Sequence, residues 1–165
     1  MSRIAAIALG SNLASQWGDR EANLCEAIKR LYPLGQVRAV STFYDTVPVG
    51  YIEQPRFLNA ALLLETELEP VDLLGELLVI ERGMGRDRSQ APAKGPRVID
   101  LDLLLMDDLM LSSARSANHR IELTLPHPAL AERRFVLEPL AEIAPGMLHP
   151  RTGRTVAELL ASLAG

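Results

Sequence analysis

Arg3 to Leu9 is a short, nearly unbroken apolar run closed by Gly10-Ser11-Asn12, the pattern of a buried strand ended by a turn. Leu24, Ala27, Ile28 and Leu31 then fall at i, i+3, i+4 and i+7, which predicts an amphipathic helix ending near Pro33 to Gly35. Val37 to Thr46, rich in β-branched and aromatic residues, predicts a second strand, and Phe57 to Thr66 a third. The ten residues between them carry Pro and Gly and are long for a hairpin, a length that in compact domains tends to accompany function or mobility. Pro70 stands at a first helical position, and Leu73, Leu74, Leu77 and Ile80 predict a second helix running to about Gly83. Residues 98 to 106 read as a further strand that Asp107-Asp108 turns into a short partner around Leu109 to Leu111. After the polar stretch Ser112 to Asn118, a short segment Glu122 to Leu125 runs into Pro126-His127-Pro128. Ala129 to Ile143 has helical composition interrupted by Pro139, and Thr155-Val-Ala-Glu158 is a capping box opening a last helix on Val156, Leu159, Leu160 and Leu163.

Strand, helix, strand, strand, helix, strand is the order of the ferredoxin-like split βαβ unit, so the expected fold is α+β, with helices on one face of an antiparallel sheet. At 165 residues the chain is expected to form a single domain spanning residues 1 to 165. With 48% hydrophobic and 23% charged residues it reads as soluble, and no apolar run approaches the roughly 18 residues of a membrane helix. The opening apolar run is also too short for a signal-peptide core, so a cytoplasmic location is expected. The lone Cys25 rules out an internal disulfide and reads as a small buried helix residue. A pI near 5.4 argues against a nucleic-acid surface, which needs broad positive charge, and nothing in the pattern asks for a second copy, so a monomer is expected.

Local charge changes the picture. Residues 82 to 97 hold Arg82, Arg86, Arg88, Lys94 and Arg97 against Asp87 alone, a charge of +4 in a chain whose net charge is -4. Immediately afterwards, Gly95-Pro-Arg-Val-Ile-Asp-Leu-Asp puts Asp100 and Asp102 at i and i+2 inside an apolar run. On a strand such a pair shares one face, roughly 6 to 7 Å apart at the backbone. Guanidiniums that grip phosphate oxygens beside carboxylates that hold a hard divalent cation describe a polyphosphate site. The plainer alternative is a solvated basic loop followed by an edge strand with an acidic outer face. On the residues alone, Phe57 and Phe135 read as core side chains, His127 as a turn cap, and His119 and His149 as surface residues.

Taken together, Gly10-Ser11-Asn12, Phe43-Tyr44-Asp-Thr46-Val-Pro48-Val-Gly50, Gln54-Pro55-Arg-Phe57-Leu58-Asn59, Ile80-Glu81, Gly85-Arg86-Asp-Arg88, Gly95-Pro96-Arg97 with Asp100-Leu-Asp102, Leu125-Pro126-His127-Pro128 and Arg133-Arg-Phe135 resemble the hydroxymethyldihydropterin pyrophosphokinase family of folate biosynthesis. The resemblance covers roughly residues 4 to 145, and its most specific block is Gly-Pro-Arg-x-x-Asp-Leu-Asp. It implies pyrophosphoryl transfer from ATP to the hydroxymethyl group of a reduced pterin. It further implies two Mg²⁺ on Asp100 and Asp102, and a catalytic set of Arg86, Arg97, Asp100 and Asp102. ATP contacts are implied at Glu81, Arg86, Arg88, Arg97, Thr124, His127 and Arg133, and pterin contacts at Thr46, Val47, Val49, Phe57, Asn59 and Phe135. Loops at about 47 to 56 and 84 to 96 are expected to close over the substrates. Where familiar members carry glutamine, tryptophan and arginine, this chain has Leu78, Lys94 and Glu122, changes that fall on the nucleotide side rather than on the aspartate pair. Two rival readings remain at this level: a slow or inactive paralogue that still binds nucleotide or pterin, and a ferredoxin-like RNA-binding module.

Overall fold

Strand β1 (Arg3–Ser11) is the axis of the domain, and its residues alternate between two separate apolar layers. The structure, a computed structural model, describes residues 1–47, 53–85, 96–118 and 120–163. Along the chain β1 is followed by α1 (Arg20–Leu31), β2 (Gln36–Val40), β3 (Tyr44–Thr46), β4 (Phe57–Thr66), α2 (Pro70–Gly83) and β5 (Asp100–Met106). Then come β6 (Leu111–Arg115), β7 (Glu122–Leu125), α3 (Arg134–Ile143) and α4 (Val156–Ser162). The main sheet has the order β2-β4-β1-β5, all neighbours antiparallel, with β3 also pairing β4. This is the split βαβ order expected from the hydrophobic pattern.

Ala5, Ile7 and Leu9 of β1 pack with Leu62 and Leu64 of β4 against Leu24, Ala27 and Leu31 of α1 and Leu73 and Leu77 of α2. Ala6 and Ala8 point the other way, into a second layer with Val136, Leu137 and Leu140 of α3 and Val156 and Leu159 of α4. The expectation of helices on one face is therefore corrected: α1 and α2 cover one face, and α3 and α4 cover the other. A strand of continuous apolar character requires this, because both of its faces need cover. The capping box forms as read, with Glu158 N–H donating to Thr155 Oγ1 (3.1 Å) and Thr155 N–H to Glu158 Oε1 (2.9 Å).

Several boundaries differ from expectation for identifiable reasons. The first strand runs through Gly10 and Ser11, because Gly10 is flanked by Asn59 on one side and Asp100 on the other. The single strand expected over Val37 to Thr46 is two strands, with an extra residue absorbed across Ser41 to Phe43, where Ser41 Oγ accepts from Ala61 N–H (2.9 Å) and Glu142 accepts from Thr42 and Tyr44. Leu111 is the start of a strand rather than the end of one, and that strand takes in the polar Ser112 to Arg115 and pairs β7 in a separate two-stranded sheet. Cys25 is exposed, since it follows Leu24 by one helical step and so turns away from the sheet. His149 is buried in a tight turn in which its Nδ1 accepts from Arg151 N–H (3.3 Å). Among the described residues, no helix is long and apolar enough to cross a membrane.

Candidate active site

Strand register puts the polar residues of four strands on one face at one end of the sheet. Asn59 lies opposite Gly10 and Tyr44, Thr46 opposite Phe57, Asp100 opposite Gly10, and Asp102 opposite Ala8. Because Ala8 and Gly10 are small, the floor is low there and the taller side chains form walls around a cavity of about 110 Å³. One wall carries Phe57, Asn59, Thr46 and Val47, and the other carries Arg97, Asp100 and Asp102. The start of α3 closes it with Arg133, Phe135 and Val136. Asn59 Nδ2 donates to Thr46 Oγ1, which fixes the amide within that first wall.

Each aspartate has an arginine beside it. Arg97 Nη1 lies 3.0 Å from Asp100 Oδ2, and Arg133 Nη1 4.0 Å from Asp102 Oδ2. The Arg133 guanidinium also sits 5.7 Å from the centre of the Phe135 ring, a cation–π contact that joins the aromatic wall to the acidic one. Strand β5 is an edge strand, as the plainer reading held, yet its two carboxylates face the cavity. Its outer edge is held by other groups: Leu101 N–H donates to Glu81 Oε2 at 2.7 Å, and His127 N–H to Leu104 O at 2.9 Å.

Of the residues singled out in the sequence, the cavity brings together Thr46, Val47, Phe57, Asn59, Arg97, Asp100, Asp102, Arg133 and Phe135. Three others stand outside its lining. Glu81 is buried behind β5, and Thr124 Oγ1 accepts from Ser113 N–H at 3.1 Å within the small sheet. His127 caps its own turn, its Nδ1 accepting from Ala129 N–H at 3.2 Å. Burial pushes its imidazole below the ordinary histidine value, the Arg133 charge adds to that, and the Asp100 carboxylate opposes it. Because Nδ1 accepts a hydrogen bond, the proton of the neutral ring lies on Nε2. Arg86, Arg88 and Val49, with His119 and most of the two loops expected to close, lie outside the described residues. Sequence reasoning missed Ala8, Leu9, Ala60 and Val136 as lining residues and treated Gly10 as part of a turn. Carrying the expected first strand past Leu9 to Ser11 would have put Gly10 on the same face as Ala8 by period-2 alternation.

Two half-buried carboxylates on one strand face, Asp100 and Asp102, are a donor set that could hold a hard divalent cation. That set suits Mg²⁺, which binds through one or two carboxylates and takes its other oxygens from phosphates and water.

Fold and cavity define an α+β ferredoxin-like sandwich with a half-enclosed small-molecule site at one end of its sheet. The profile described as 7,8-dihydro-6-hydroxymethylpterin-pyrophosphokinase (HPPK) matches residues 6–145, and the chain belongs to that family. It is 43% identical over 161 residues to the 2-amino-4-hydroxy-6-hydroxymethyldihydropteridine pyrophosphokinase of Methylorubrum extorquens, covering 96% of this chain and 92% of that protein. It is 37% identical over 164 residues to the folic acid synthesis protein fol1 of Schizosaccharomyces pombe, covering 98% of this chain but 21% of that protein. The chain thus spans about a fifth of that longer relative. A crystal structure of Plasmodium falciparum HPPK-DHPS superposes with a TM-score of 0.76 at 16% identity, over 99% of this chain and 43% of that one, a likeness of fold.

Proposed function

We propose that this chain transfers the terminal pyrophosphoryl group of ATP to the hydroxymethyl group of 6-hydroxymethyl-7,8-dihydropterin, releasing AMP and supplying the pterin diphosphate for tetrahydrofolate biosynthesis. The observation that carries this reading is the meeting, in one cavity, of an aromatic and amide wall with an arginine-flanked pair of carboxylates. A pterin is a flat bicycle with a guanine-like edge, so it needs ring surfaces and a group that both donates and accepts. Phe57 and Phe135 offer the surfaces, and Asn59 with the Thr46 and Val47 backbone reads the edge.

Transfer of this kind asks little covalent chemistry of the protein and depends on position and charge neutralisation. Asp100 and Asp102 would hold two Mg²⁺, which when bound would supply neutralisation of the polyphosphate charge. Arg97 and Arg133 turn from the carboxylates toward phosphate oxygens as those charges are satisfied, joined by Arg86 and Arg88 from the basic loop. Neutral His127 donates from Nε2 near the same phosphates, with Thr124 close by, and Glu81 holds the edge of β5. The hydroxyl oxygen attacks the β-phosphorus, the bond between the α,β-bridging oxygen and that phosphorus breaks, AMP leaves, and the hydroxyl proton passes to solvent. We read the domain as a cytoplasmic monomer acting on small molecules and not on nucleic acid, in keeping with its acidic pI. An assay of AMP release with and without the pterin, and with and without Mg²⁺, tests the reading. AMP is expected only when both are present, and AMP formed at the same rate without the pterin refutes it.

A further inference from the structure

The end of β1 is held by a buried polar network. Asn23 of α1 donates from Nδ2 to Ser11 Oγ (3.2 Å) and Leu13 O (2.8 Å), and Ser15 Oγ donates to Asn23 Oδ1. Next to this fixed point stands Asn12, only 2% exposed and outside the cavity lining. Its backbone N–H donates to Arg97 O (3.0 Å), and its Oδ1 accepts from Arg97 N–H (2.7 Å). Its Nδ2 donates to Gln54 Oε1 (2.8 Å) and Pro55 O (2.9 Å). Arg97 N–H can only donate and Pro55 O can only accept, so a single orientation of the amide satisfies both. A carboxylate in its place keeps the bond from Arg97 N–H, can accept from Gln54 if that amide turns over, and sets an acceptor against Pro55 O, whereas an apolar side chain loses all three.

The two segments so joined are those that feed the two walls of the cavity. Arg97 pairs with Asp100, and Pro55 precedes Phe57 by two residues. We propose that Asn12 is a positioning residue that ties the pterin-side segment 53–57 to the phosphate-side segment 96–100, so that Phe57 and the Arg97–Asp100 pair take their places together. This proposal rests on the reading of the cavity given under Proposed function. A buried amide linking two otherwise separate segments is a hydrogen-bond network whose members act as a unit, so its loss reaches both segments.

The test combines amide-resolved hydrogen exchange of the free protein with steady-state kinetics, on Asn12→Ala and Asn12→Asp. Asn12→Ala is expected to raise exchange about tenfold or more in both segments, to lower kcat about tenfold, and to raise the pterin KM. Asn12→Asp keeps volume and the acceptor for Arg97 N–H, so it is expected to loosen 53–57 alone and raise the pterin KM with kcat within about threefold of wild type. A purely structural role predicts instead a lower Tm, with KM and kcat per folded molecule unchanged, and that result overturns the proposal. So does Asn12→Asp exchange that is unchanged in 53–57 or raised equally in both segments. Should the wild-type protein form no pterin-dependent AMP, the functional reading falls, and the exchange pattern still decides whether Asn12 joins the two segments.

Discussion

If the cavity binds a pterin as proposed, a single methyl group on its floor should separate pterin recognition from folding. Built on Gly10, a Cβ lies 3.0 Å from Asn59 Oδ1 and 3.7 Å from Phe57 Cδ1. The first distance is tighter than a relaxed carbon–oxygen contact by a few tenths of an ångström, so in Gly10→Ala the Asn59 amide must shift. That amide is tied to Thr46 Oγ1, so its shift would spoil the aim of the group proposed to meet the pterin edge. Overpacking costs about 1–3 kcal/mol, a range that also covers one lost net hydrogen bond of about 1 kcal/mol. Felt in the bound state, this weakens pterin affinity by about 5- to 150-fold. Stability moves differently, because replacing a strand glycine by alanine gains about 0.5–1 kcal/mol and offsets part of the steric cost. Calorimetric titration of the pterin in the presence of Mg²⁺ and a non-hydrolysable ATP analogue, alongside Tm, measures both. The expected result is a weakened pterin Kd with Tm within a few degrees of wild type and nucleotide affinity unchanged. A pterin Kd within twofold of wild type, or equal losses for both ligands, refutes the placement of Asn59.

Three other expectations follow from the same geometry. Asp100→Ala and Asp102→Ala should each cut turnover by about a hundredfold or more while the fold persists, since on the proposed reading these cavity-facing carboxylates would hold the cation and are not core residues; near-wild-type Mg²⁺-dependent turnover in either variant contradicts the assignment. The folded chain holds His127 and His149 below their ordinary value, mainly through burial, so the unfolded chain takes up protons more readily. Their stabilising contribution is present above the ordinary histidine pKa of about 6.5 and is lost as pH falls through the lower folded values; urea unfolding from pH 7 to 5 should show a shallower decline in His127→Gln with His149→Gln than in wild type, and an identical slope speaks against it. Thr155→Ala removes the Glu158 N–H to Thr155 Oγ1 bond of the capping box, keeps the backbone N–H to Glu158 Oε1 bond, and should cost about 1 kcal/mol without altering either KM; a changed KM would mean that α4 reaches the site.

The parts of this molecule legible in its sequence are those that local chemistry dictates. Period-2 alternation put Asp100 and Asp102 on one face, the i, i+3, i+4 stripe found α1 and α2, and Thr155 with Glu158 marked the start of α4. The end of β1 was misplaced because Gly10-Ser11-Asn12 has turn composition, whereas pairing with β4 and β5 holds Gly10 and Ser11 extended. The second helical layer was implicit in the unbroken apolar run of β1, but only the packed sheet shows that Ala6 and Ala8 meet α3 and α4. The link from Asn12 to Arg97 joins residues 85 apart, so no window along the chain reveals it. His149 is buried by a turn that its own ring helps to close, a feature its spacing from other residues does not signal.

The central claim is that one cavity binds a pterin and ATP together and moves two phosphoryl groups as a unit. Mass spectrometry of a single turnover with ATP labelled separately in the β and γ phosphates tests it most directly. The expected products are AMP and a pterin carrying both labels, in equal amounts and only with Mg²⁺ present. ADP with a singly labelled pterin, or AMP with inorganic pyrophosphate and unmodified pterin, would contradict the account.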